Sequence, residues 1–142
     1  MKTRILVIED DASISELICM NLEAAGYEPV PVYDGVEAEK IVSGLAGGGE
    51  GGVSYALALV DIMLPGKDGF ELMGCMQSAG IPVIYLTAKA DVISKVHGLR
   101  AGAEDYIVKP FEVLELLVRM EKVLERTGRG EELIEIRDVR ID

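Results

Sequence analysis

Five side chains in this sequence have the chemistry to handle a phosphoryl group, although they lie far apart along the chain. Glu9 and Asp10 follow the apolar run Arg4-Ile5-Leu6-Val7-Ile8. Asp61 ends the run Leu57-Ala58-Leu59-Val60, Thr87 follows Pro82-Val83-Ile84-Tyr85-Leu86, and Lys109 follows Asp105-Tyr106-Ile107-Val108. Three carboxylates in one crevice repel one another and raise at least one pKa unless a cation intervenes. Mg²⁺ is the natural guest, because it takes hard oxygen ligands and keeps several waters. Lys109 can pair with a carboxylate or with an incoming phosphoryl oxygen, and Thr87 can donate a hydrogen bond to that same oxygen. Such a set suits in-line phosphoryl transfer to an Asp carboxylate, where positioning and charge neutralisation carry most of the catalysis. An isolated Asp at the end of a strand needs no function at all, so everything depends on convergence.

The elements that must produce the convergence are strands alternating with helices five times. Short apolar runs bounded by turn signals read as strands buried on both faces. Five such runs are expected: Arg4 to Ile8, a Pro-containing and therefore edge-like Tyr27 to Val32, Ala56 to Val60, Pro82 to Leu86, and Asp105 to Val108. Helices are expected between them. The first is capped by Ser13 with Glu16 completing a capping box, shows an apolar stripe at Ile14, Leu17, Ile18, Asn21 and Leu22, and closes at Gly26. The others span Val36 to Leu45, Gly69 or Phe70 to Ala79, Asp91 to Ala101, and Glu112 to Arg126. The alternation specifies an α/β fold with a doubly wound parallel sheet. Strand order 2-1-3-4-5, the flavodoxin-like (βα)5 solution, is one of two common ones, and periodicity does not choose between them. Under that order strands one and three are neighbours about 4.8 Å apart, which sets Glu9 and Asp10 beside Asp61, with Thr87 and Lys109 on the next two strands.

Composition narrows the classes further. The 142 residues suit one domain and a short tail, and 49% apolar content supports a real core. A formal net charge of −11 argues against this segment gripping a nucleic-acid backbone. No run is long enough to cross a bilayer, and the N-terminus lacks the pattern of a signal peptide, so a cytoplasmic location is expected. Cys19 and Cys75 fall on amphipathic helices without partners at ligand spacing and read as free thiols. The Gly47 to Gly52 stretch has no GK[ST] signature behind it and reads as an exposed connector; it suggests no role.

Glu9-Asp10, Asp61 within Asp61-Ile62-Met63-Leu64-Pro65-Gly66, Thr87-Ala88 and Lys109-Pro110-Phe111 together resemble the receiver domains of two-component response regulators. The resemblance covers about residues 3 to 126. It implies that Asp61 is the phosphoacceptor for a sensor histidine kinase and that Asp10 binds Mg²⁺ directly, with Glu9 acting mainly through water. The backbone carbonyl of Met63 completes that metal site. Thr87 and Lys109 read the phosphoryl group, Lys109–Pro110 is a cis peptide bond, and Tyr106 is a switch aromatic that moves inward with Thr87. Glu9 departs from the Asp found in many relatives, which leaves its coordination distance open.

The resemblance extends to the subfamily with a winged-helix DNA-binding output domain (OmpR/PhoB-like). In that scheme phosphorylation drives a homodimer through the face formed by the fourth and fifth helices and fifth strand. Lys95 pairs with Glu115 and Asp105 with Arg119 across the two-fold axis, with Glu104 and Arg126 as further participants. Val96, Leu99 and Leu117 supply the apolar patch. Residues 1 to 126 form the receiver, and 127 to 142 read as a linker plus the start of a winged-helix domain, to which DNA binding belongs. Three other readings compete. A haloacid dehalogenase-like phosphatase needs a second Asp where Met63 stands, a flavin carrier would be repelled by Glu9-Asp10-Asp11, and a pseudo-receiver would dock partners without being phosphorylated. The kinase, its signal, the target genes, the phosphoryl lifetime and the resting oligomeric state are not encoded legibly.

Overall fold

The computed structural model describes residues 3–46, 55–62, 69–88 and 104–127. Five parallel strands, β1 (Arg4–Ile8), β2 (Glu28–Val32), β3 (Leu57–Asp61), β4 (Val83–Ala88) and β5 (Asp105–Lys109), form one sheet in the order β2-β1-β3-β4-β5. The fold is the doubly wound, flavodoxin-like one. Its inner strands β1, β3 and β4 read as apolar runs because alternate residues serve two different cores. Ile5, Val7, Leu57, Leu59, Ile84, Leu86 and Ile107 face α1 (Ala12–Ala24) and the last helix (Val113–Arg126). Leu6, Ile8, Ala58, Val60, Val83 and Tyr85 face α2 (Gly35–Ala46) and α3 (Gly69–Ala79).

β2 is an edge strand, as its two prolines require. Glu28 donates its N–H to the Thr3 carbonyl, and the Val32 carbonyl accepts from Glu9 N–H. Pro29 and Pro31 therefore occupy the alternate positions whose missing N–H groups would face away from β1. Gly26 and Gly80, at φ of 96° and 72°, follow α1 and α3 in the left-handed conformation that lets the chain turn back into a strand.

Two local expectations need correction. The cap of α1 is Asp11 rather than Ser13: its Oδ1 accepts the Ile14 N–H at 3.1 Å, and Ser13 lies inside the helix. Only Glu9, Asp10 and Asp11 separate β1 from α1, so the first competent capping side chain is used. The buried face of α1 is Ser15, Ile18 and Leu22, while Leu17 is 48% exposed. Asp61 and Thr87 lie at the C-terminal ends of their strands, as expected. The helix expected at Asp91 to Ala101, the Gly47 to Gly52 connector and the tail from Gly128 onward lie outside the described residues.

This packing gives a direct comparison of two leucines. Leu59→Ala, at a fully buried site in the central strand, is expected to cost about 2–5 kcal/mol. Leu17→Ala is expected to stay within about 0.5 kcal/mol. Urea midpoints of the two variants check the difference.

Candidate phosphoryl-transfer site

Sheet register brings the site together. Ile8 is opposite Val60, so Glu9 emerges beside Asp61. Asp61 is opposite Leu86, the residue before Thr87, while Ala88 is opposite Lys109. Carboxylate oxygens of Glu9, Asp10 and Asp61 all lie within 4.8 Å of one another, with Glu9 and Asp61 buried and Asp10 exposed. The Lys109 ammonium reaches into this group, 3.2 Å from Asp61 Oδ2 and 2.7 Å from Glu9 Oε1. The Asp61 contact is a hydrogen bond. The Glu9 contact is a shorter ion pair without hydrogen-bond directionality, and Glu9 Oε1 has no hydrogen-bond partner among the described residues. Glu9 Oε2 accepts the Asp11 N–H at 3.1 Å, so one carboxylate links the site to the head of α1.

The electrostatics follow from burial. Loss of solvent pushes the Glu9 carboxyl up to about 7, against the Lys109 contact and with reinforcement from Asp61. Burial alone would lower the Lys109 ammonium, but Glu9 and Asp61 together raise it above its ordinary value. Three carboxylates against one ammonium leave two formal negative charges at this edge of the sheet. An all-oxygen donor set with one exposed carboxylate fits a hard divalent cation that keeps part of its water shell. Thr87 Oγ1 is buried and has no hydrogen-bond partner among the described residues. A buried hydroxyl without a partner is costly, and it stands here beside the acids. Thr87 lies two residues beyond Tyr85, hence on the face shared with Tyr106, the register partner of Tyr85. The Lys109–Pro110 peptide bond is cis.

Residues 5–121 match the family model for the response regulator receiver domain. The chain belongs to that family. This receiver domain is similar to the DNA-binding response regulator MtrA of Mycobacterium tuberculosis, at 38% identity over 144 aligned residues. It is also similar to the DNA-binding dual master transcriptional regulator RpaA of Synechocystis, at 38% over 130 residues. Those alignments cover 100% and 89% of this chain but only 60% and 51% of the relatives, so the chain spans little more than half of their length. Among solved structures, a Francisella response regulator receiver domain matches with a TM-score of 0.76 and 30% identity, over 89% of this chain and 99% of that one.

Not every expected site residue is placed. Met63, Lys95, Val96 and Leu99 lie outside the described residues. On the last helix, the charges expected to act between subunits are engaged within the chain. Arg119 contacts Asp105 Oδ1 and Oδ2 at 3.2 and 3.0 Å and Glu115 at 3.1 Å. Arg126 reaches the Glu104 carboxylate at 3.3 Å and its carbonyl at 3.1 Å. Leu117 is half-buried against the inner core rather than displayed. The displayed apolar side chains are Leu114, 72% exposed, and Val118, which the sequence reading did not single out. Their i, i+4 spacing is visible in sequence, but four consecutive helix turns rich in Leu and Val conceal which side faces out. With Asp105, Glu112, Glu115, Arg119 and Lys122 they line an open concavity of about 480 Å³.

No helix among the described residues is long and apolar enough to cross a membrane. The Glu9 environment sets a pH dependence. Its carboxyl is raised from 4.5 to about 7 in the folded chain, so its contribution favours folding fully below 4.5 and is lost as pH rises through about 7. With a chelator present, the stability difference between the native chain and Glu9→Gln should therefore shift in favour of the variant between pH 5 and 8. Urea denaturation at several pH values measures that slope.

Proposed function

We propose that residues 1–126 are the phosphoacceptor receiver of a two-component response regulator and that Asp61 accepts a phosphoryl group from a sensor histidine kinase. The observation that carries this reading is the half-buried Lys109 ammonium in contact with the buried acids Glu9 and Asp61, beside a Thr87 hydroxyl that has no partner among the described residues. An Asp61 oxygen attacks phosphorus, the bond from phosphorus to the donor imidazole breaks, and its electron pair returns to the imidazole. Lys109 would take a phosphoryl oxygen on leaving a carboxylate. Thr87 would donate to another. Mg²⁺, held by Glu9, Asp10, Asp61 and the Met63 carbonyl, would neutralise charge on the transferring oxygens. The domain is a regulatory one that assists its own phosphorylation and dephosphorylation.

Movement of Thr87 toward the phosphoryl group would draw Tyr106 inward, since both occupy one face of neighbouring strands. The readout in this proposal is a homodimer through β5, the last helix and the segment containing Lys95, Val96 and Leu99. Its isologous contacts would re-use the charges of Glu104, Asp105, Glu115, Arg119 and Arg126 around Leu114 and Val118. Residues 127–142 would be the linker and start of a winged-helix DNA-binding domain, in keeping with relatives named as DNA-binding regulators. A cytoplasmic location fits that role.

Intact mass after incubation with Mg²⁺ and acetyl phosphate tests the phosphoacceptor. One labile phosphoryl group is expected on the native chain and none on Asp61→Asn; failure to gain it would leave a docking module only. Sedimentation with beryllofluoride tests the readout separately. The native chain should dimerise and Arg119→Ala should not, while Arg119→Ala itself should cost under about 1 kcal/mol of stability, because the ion pairs it loses are well exposed.

A further inference from the structure

An open sheet has two edges, and each offers a row of backbone groups to an incoming strand. Here the edges are β2 and β5. On β2, Glu28 donates its N–H to the Thr3 carbonyl at 2.8 Å, and the Val32 carbonyl accepts the Glu9 N–H at 3.0 Å. Residues 28, 30 and 32 therefore turn their backbone groups toward β1, and residues 27, 29, 31 and 33 turn theirs outward. The Tyr27 N–H is taken by the Leu22 carbonyl at 2.9 Å. Positions 29 and 31 are prolines and have no N–H. The outer edge of β2 thus presents the carbonyls of Pro29 and Pro31 without donors beside them. Pairing with a second copy has a definite geometry. An antiparallel pair about a two-fold axis at Val30 sets position 29 of each copy opposite position 31 of the other. Residues 29 and 31 would have to donate every hydrogen bond of that pair, so none forms. Sliding the axis to residue 31 recovers only the Tyr33 donors.

We infer that Pro29 and Pro31 close the β2 edge to strand addition by a second copy of this chain, and so confine self-association through a sheet edge to the β5 side. β5 contains no proline between Asp105 and Lys109. The same two rings keep the uncovered strand in shape. Each fixes its own φ and holds the residue before it, Glu28 or Val30, in extended backbone. Their side chains share the face of their register partners Ile5 and Val7, on the α1 side of the sheet. Valine can therefore replace either ring without turning its side chain toward the edge. The closure does not depend on phosphorylation of Asp61.

The double substitution Pro29→Val with Pro31→Val restores the missing donors and leaves the edge carbonyls in place. Sedimentation without beryllofluoride measures the effect. Self-association should tighten by about thirtyfold or more, taking each restored hydrogen bond at the low end of its net worth. Pro31→Val alone restores half of the donors and should tighten it by about fivefold; this variant decides if the double one does not fold. Amide hydrogen exchange locates the contact. The N–H groups at positions 29 and 31 of the double variant should gain protection that rises with protein concentration. Arg119→Ala, added to the double variant, separates the edge from the last helix and should leave the gain intact. A folded variant that associates no more tightly than the native chain overturns the inference. Tighter association with positions 29 and 31 still unprotected, or abolished by Arg119→Ala, also overturns it, because the contact then lies elsewhere.

Discussion

The site of this domain depends on one half-buried ammonium among three carboxylates. Lys109 arrives on the edge strand β5 and reaches past β4 to Asp61 on β3 and Glu9 at the end of β1. Without a cation, Glu9 and Asp61 would face each other in a region that water barely enters, and burial already drives the Glu9 carboxyl up to about 7. One ammonium does not neutralise three acids. The remaining charge makes the site receptive to a hard divalent cation, and burial strengthens every interaction within it. The same ammonium is the group a phosphoryl oxygen would claim, so resting-state stability and phosphoryl chemistry draw on a single side chain.

The sheet makes this arrangement possible. Five parallel strands point their C-terminal ends to one edge, where three residues separate β1 from α1 and three separate β5 from the last helix. Asp11 illustrates how tightly the local parts are shared. Its side chain caps α1, its N–H binds Glu9, and Glu9 in turn contacts Lys109. The residue whose side chain starts the helix is thus the one whose N–H holds the acid beside the ammonium.

At the far side of β5, the charged face of the last helix is closed on its own strand. Arg119 and Arg126 each bind an acid at the start of β5, and these partly exposed pairs hold little energy. In the dimer proposed above, low cost would let these pairs orient the helix without locking it. Leu114 and Val118 stand beside them as the apolar component, exposed in the single chain.

The five strands, the described helices and the five chemical residues were legible in sequence because four of the strands are short apolar runs closed by Glu9, Asp61, Thr87 or Lys109. Their shortness and the turn signals that bound them favour strands buried on both faces over buried helices. Sequence left the strand order open, and with it the meeting of Glu9, Asp61 and Lys109, since proximity across a sheet depends on register between distant segments. It also missed Asp11 as the cap, the outward turn of Leu17, Leu114 and Val118, and the inward turn of Leu117. Those outcomes depend on how a helix is rotated about its axis, and neighbouring packing sets that rotation. Residue types determined by themselves that this chain carries an aspartate, acids, a hydroxyl and an ammonium suited to phosphoryl transfer. Only the tertiary structure decided that Lys109 sits closer to Glu9 than to Asp61, because that distance is fixed by side-chain length acting from backbones held in register.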